Sequence, residues 1–163
     1  MNTMGLVDLL TLVCALGCGV VAGVLFAFST SVMRALGALP PAQGMAAMQS
    51  INVVILNPWF LTPFFGTALM CLLAVVLSLR RWSDVDARYA LVGGGLYVVG
   101  TIGVTMLFNV PRNEALATLS PSHADAAGLW ARYLSSWTAW NHVRTAAAFG
   151  AAILFTIAFR ARA

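Results

Sequence analysis

The chain has 163 residues, 61% of them hydrophobic and 9% charged, with a net charge of +4 carried by nine arginines and no lysine. A water-soluble domain is about 25% charged, because charge is what covers its surface. The composition therefore excludes a soluble globular fold, and arginines this scattered form no basic patch, so no nucleic-acid partner is expected.

Four apolar runs follow along the chain, near residues 6–32, 59–79, 89–109 and 143–159. Each approaches the roughly 20 residues that cross about 30 Å of hydrocarbon as a helix, and in lipid a helix satisfies its own backbone. The expectation is an all-α fold, one integral membrane four-helix bundle over residues 1–163, embedded in a lipid bilayer. The first run has no basic leader and exceeds the roughly 7–15 residues of a signal-peptide core, so it reads as a retained span. It carries Ala15, Gly19, Gly23, Ala27 and Ser31 at every fourth position, the kind of ridge that lets membrane helices approach closely. Gly93 to Gly95, Gly100 and Gly103 in the third run offer matching surfaces. Cys14, Cys18 and Cys71 sit inside apolar runs without a CxxC pair and read as packed small side chains.

The connections 33–58 and 110–142 are too long for plain loops. In the first, Met45, Met48, Ile51, Val54 and Ile55 recur near helical spacing, and Asn57 before Pro58 reads as a helix cap. In the second, Ser120 or Ser122, with Pro121 and Asp125, starts a helix leading into the fourth run. Additional interfacial helices are therefore expected in both outer connections. The short "RRWSDVDAR" connection and the final "RARA" share the other side with the N-terminus. They hold Arg80, Arg81, Arg88, Arg160 and Arg162, which places both termini in the cytoplasm, on the natural reading of a bacterial inner membrane.

Polar residues gather at the outer side. Asn52, Asn57, Asn109, Asn113 and Asn141 all fall there, Asn2 alone excepted, together with Arg34, Arg112, Glu114, His123 and His142. In "FNVPRNEAL" the proline kinks or ends the third helix, freeing carbonyls that Asn109, Arg112 and Asn113 can satisfy. In "WTAWNHVRT", Trp137, Asn141 and Arg144 share a helical face, with His142 beside it and Arg144 about one turn inside the apolar run. A charge inside the membrane costs at least about 2.5 kcal/mol unless it pairs or faces water, so Arg144 marks a pocket or pairs with Glu114. Trp59, Trp130 and Trp137 read as an interfacial belt. Phe60, Phe64, Phe65, Met106 and Phe108 read as core or as the lining of an apolar cavity beneath the polar residues.

The chain contains no HExxH, GxSxG or phosphate-loop motif. What it does contain is one candidate base, His142, a cation to stabilise an anion, Arg144, and amides to orient a carbonyl or phenol. That set suits proton abstraction from an aromatic or lipid-like carbon acid.

"FNVPRNEAL" together with the spaced tryptophans and "WNHVRT" resembles the anthrone oxygenase-like family of small four-span membrane proteins. "AGVLFAFSTSVMRAL" and "AMQSINVVILNPWF" fit its first half. The resemblance implies a four-helix membrane fold and oxidation of an anthrone-like substrate by O2 as co-substrate, with no classical organic cofactor. On that reading His142 takes the benzylic proton, while Arg144 and Asn141 stabilise the anion. Asn109 and Asn113 orient the substrate's oxygens, Trp137 and Trp140 cover its rings, and Asn57 and Arg112 complete the binding set. Two other readings stay open. One is a non-catalytic protein that binds a lipid or quinone, or assembles with a partner or a second copy; the other is a metal- or haem-dependent oxidoreductase using His142 with His123, a Met or a carboxylate.

Overall fold

The computed structural model describes residues 5–162; Asn2 lies outside them. The described residues are all-helical, in five elements: α1 (Leu6–Gly37), α2 (Pro41–Val54), α3 (Pro58–Leu79), α4 (Val85–Ala117) and α5 (Ala126–Arg162). All but α2 are long and apolar enough to cross a membrane, which makes the chain a multi-pass membrane protein.

Local chemistry accounts for the helix ends. The Gly5 N–H donates to Asp8 Oδ2 at 3.0 Å and closes the first turn of α1. Asn57 serves two helices: its amide donates to the Val54 carbonyl at 2.8 Å, closing α2, and its Oδ1 accepts the Phe60 N–H at 3.2 Å, opening α3. Gln49 caps a helix in trans, donating to the Leu116 and Leu119 carbonyls at 2.8 and 2.9 Å where α4 runs out of partners.

The spans are longer than hydropathy alone indicates. The first outer connection does hold a separate helix, α2. In the second, the helical residues belong to extensions of α4 and α5, and only residues 118–125 are non-helical. Pro111 does not end α4, because a π-helical stretch, Thr105–Asn109, precedes it and sets the proline in the first turn of a fresh α-helical segment. The 37 residues of α5 reach about 55 Å at 1.5 Å per residue. Arg144 therefore lies in the middle of a helix instead of at its entry.

α1 packs along α5, α4 covers another flank of α5, and α3 closes against α1 and the first half of α4. Cys14, Cys18, Cys71, Tyr97, Ala148, Ala151 and Phe155 form the fully buried centre. As expected, the glycines of α4 permit the close approach: a Cβ at Gly94 would stand 2.9 Å from the Cys71 carbonyl oxygen, and one at Gly100 would stand 2.6 Å from Ala147 Cβ. The ridge read on α1 is different. Nothing lies within 4 Å of a Cβ built on Gly19 or Gly23, and Ala27 and Ser31 are exposed. α1 has small residues on two faces, and the one that packs is Cys14, Cys18 and Ala22.

Each end of the bundle has its own fastening. At the end holding the termini, Arg162 bonds Asp8 and, at 2.8 Å, Asp86, while Arg81 bonds Asp84 at 2.6 Å and Asp86 at 3.3 Å. At the far end, α2 lies across the extensions of α1, α4 and α5 over a second core that includes Met45, Met48, Leu116, Trp130 and Trp137. Trp130 and Trp137 are thus core residues and not an interfacial belt, because the extended helices give them partners that hydropathy could not reveal. Trp59, 91% exposed, remains on the surface.

Candidate functional site

Between the central core and this second core lies a cavity of about 260 Å³, just below the roughly 300–1,000 Å³ of ligand pockets. Phe28 from α1, Met48 and Ile51 from α2, and Phe60 and Phe64 from α3 make most of its wall apolar. Four polar side chains interrupt that wall: Asn52, Thr105, Asn113 and Arg144. The cavity reaches the side of the bundle where α3 leaves the outer half of α4, at the half-exposed Phe65 and Met106. Phe60, Phe64, Phe65 and Met106 line it as expected. Phe108 does not, since it stacks on Trp140 with ring centroids 3.7 Å apart.

Arg144 is held from its own helix, α5, and from α4. Its Nη2 donates to Asn141 Oδ1, and its Nη1 to Thr105 Oγ1 at 3.1 Å. Its Cζ lies 5.2 Å over the Trp137 ring, a cation–π contact. Asn141, fully buried, spends its amide on the Leu25 carbonyl (2.8 Å) and Ser29 Oγ (2.7 Å) of α1. Thr105 in turn donates to the Thr101 carbonyl at 2.6 Å, and Thr101 Oγ1 to the Arg144 carbonyl at 3.4 Å. Both partner helices change winding at this level, α1 over Phe28–Val32 and α4 over Thr105–Asn109. Such π turns re-aim side chains and concentrate at functional sites; here they bring Ser29 and Thr105 to the Asn141–Arg144 pair.

A second layer fixes the wall. Asn113 Oδ1 accepts both the Trp137 indole N–H at 2.8 Å and the Tyr133 hydroxyl at 2.9 Å. Asn109 donates to the Trp137 carbonyl at 3.3 Å from behind. Both asparagines therefore orient Trp137, and only Asn113 also lines the cavity.

Arg144 is only 6% exposed, and no carboxylate pairs with its guanidinium among the described residues. Glu114 is exposed on α4 and makes no salt bridge, so the pairing weighed from sequence does not form. A buried cation whose partners are neutral amides, hydroxyls and a ring has residual capacity for an anion.

The other expected site residues lie elsewhere. His142 is exposed and lines a separate shallow cleft with Ser29, Thr30, Arg34 and Thr138. Two residues from Arg144, it projects about 200° away around a helix of 3.6 residues per turn, so it cannot share the cavity. His123, in the non-helical turn, accepts the Asp125 N–H at 3.0 Å. α5 carries His142 about 24 Å beyond its start at Ala126, so the two histidines do not meet. Among the described residues no group of three His, Cys, Asp or Glu is placed to hold a metal. Arg112 turns back on its own helix, donating to the Phe108 carbonyl at 2.7 Å. Trp140 lies outside the cavity on Phe108, and Asn57 is committed to its two helix ends.

Sequence reasoning grouped Asn52, which lies beside the Tyr133 hydroxyl, with the polar residues of this end but gave it no role, and it named neither Thr105 nor Ser29. Thr105 follows Thr101 by one turn, a signal visible only once Arg144 is known to sit between helices.

No curated protein and no solved structure matches the chain. The sequence profile described as anthrone oxygenase matches residues 59–154, more than half of the chain and the stretch that supplies Thr105, Asn113, Trp137, Asn141 and Arg144, and the chain belongs to that family.

Proposed function

We propose that this protein is a membrane oxygenase that takes an apolar, flat aromatic carbon acid of the anthrone type into the cavity and oxidises it with O2. One observation carries the reading: Arg144, buried without a carboxylate, forms part of the wall of a largely apolar cavity of about 260 Å³. Arg144, positioned by Asn141, stabilises the oxygen of the substrate's enolate, Trp137 and the phenylalanines hold its rings, and the electron-rich anion reacts with O2 dissolved in the hydrocarbon. No organic cofactor is assigned a part. Substrate enters from the bilayer through the gap between α3 and α4. The termini face the cytoplasm of a bacterial inner membrane. With Arg144 assigned to the site, five arginines at that end oppose three at the other, Arg34, Arg112 and Arg132.

The test is O2 uptake and quinone formation by purified protein in nanodiscs supplied with anthrone. Wild type is expected to turn over, and Arg144→Leu to lose roughly 10²- to 10³-fold in kcat, as for removal of one oxyanion donor. Retained quinone or lipid with no O2 uptake on any anthrone would instead favour the non-catalytic carrier, a reading that the sideways opening of the cavity also suits.

A further inference from the structure

A carbon acid must give a proton to something to become an enolate, and no side chain lining the cavity is a base. Element by element, the groups around the Asn141–Arg144 pair and the cavity beside it are Leu25, Phe28 and Ser29 from α1, Asn52 from α2, and Phe60 and Phe64 from α3. From α4 they are Thr101, Thr105 and Asn113, and from α5 Trp137, Asn141 and Thr145. None of these is a histidine, carboxylate, lysine or thiol. Tyr133 lies behind Asn113 and donates its hydroxyl hydrogen to Asn113 Oδ1 at 2.9 Å, so it is a donor there. Arg112 and Glu114 of α4 point to Phe108 and to the exterior. Of the two histidines, whose chemistry suits a base at neutral pH, His142 is on the far side of α5 and His123 lies in the turn before it.

We infer that the site contains no general base and selects a substrate acidic enough to shed its proton to water, which Arg144 then receives as the anion. This rests on the oxygenase reading and narrows its substrate class to carbon acids with an enolisable ketone, or phenols conjugated with one, that ionise in the working pH range. The steps balance without a side-chain proton carrier. The CH2 carbon gives one proton to water, and its enolate adds O2 at that carbon as a peroxide anion. The O–O bond then breaks as the carbonyl forms, and the remaining hydrogen leaves with the distal oxygen as hydroxide. Hydroxide and the first proton make water, so one O2 is reduced by four electrons while CH2 becomes C=O.

The experiment compares anthrones of differing acidity, each titrated free in the same detergent, with log(kcat/KM) followed against pH. The bend is expected to move with the acidity of each substrate, and His142→Ala is expected to reproduce the wild-type profiles. A bend that stays at one pH across the series, or a His142→Ala protein that loses turnover, assigns the proton to a side chain and overturns the inference. Should no anthrone be oxidised, the oxygenase reading falls, and a separate measurement still decides the inference. 1,8-Dihydroxyanthraquinone, whose anion is coloured, is titrated while bound. Its ionisation is expected about 1–3 pH units lower than when free in wild type and unshifted in Arg144→Leu and Asn141→Asp. An unshifted ionisation in wild type overturns the preference for the anion.

Discussion

Asn141 and Arg144 are bonded to each other one turn apart on α5, and each is also bonded to a different neighbouring helix, Asn141 to α1 and Arg144 to α4. The pair both joins three helices and directs an unneutralised cation at the cavity. Replacing Arg144 by Leu removes a buried charge whose desolvation no ion pair offsets. The expected outcome is unchanged or raised stability, by up to about 4 kcal/mol, together with the loss of turnover described above. Thermal unfolding in detergent beside the O2 assay checks both halves; a fall in Tm would show that the arginine is structural.

Asn141→Asp places a carboxylate against the same guanidinium. The ion pair is expected to hold the fold but to occupy the charge that the substrate anion needs. Binding of a hydroxyanthraquinone anion should weaken at least about tenfold, equivalent to about 1.4 kcal/mol, with Tm retained. Asn141→Leu, by contrast, leaves Arg144, Ser29 and the Leu25 carbonyl short of partners and should cost about 1–3 kcal/mol of stability. Equal binding by the Asp and wild-type proteins would contradict the assigned role of Arg144.

Asn113 supplies one oxygen to two donors, Tyr133 and Trp137. Asn113→Leu leaves both buried hydrogens without an acceptor, an expected loss of about 1–3 kcal/mol for each. Trp137 is then free to turn in the cavity wall, so weaker binding of an anthraquinone should accompany a red-shifted tryptophan emission. Emission and affinity identical to wild type would remove Asn113 from the site's support.

The two glycine patterns give opposite expectations. Gly94→Ala drives a methyl against the Cys71 carbonyl and should destabilise the bundle by about 1–3 kcal/mol. Gly23→Ala meets open space and should change stability by no more than about 0.5 kcal/mol. Paired unfolding curves of these variants test whether α1 packs by its Cys14–Cys18–Ala22 face.

Composition and hydropathy by themselves determined the membrane class, the four spans, the cap at Asn57 and the grouping of polar residues at one end, because each follows from local chemistry or from the cost of polar backbone in lipid. They also identified Arg144, since a lone charge in an apolar run is anomalous wherever the chain folds. Only the tertiary structure decided which neighbours those residues meet. His142 is adjacent to Asn141 in sequence but faces away, because one residue is about 100° of helix. Hydropathy located the apolar stretches but not the helix ends, so Trp130 and Trp137 read as surface until the extended α4 and α5 buried them. The π turns of α1 and α4 leave no clear mark in sequence, and they are what turn Ser29 toward Asn141, more than a hundred residues away, and Thr105 toward Arg144, about forty residues away.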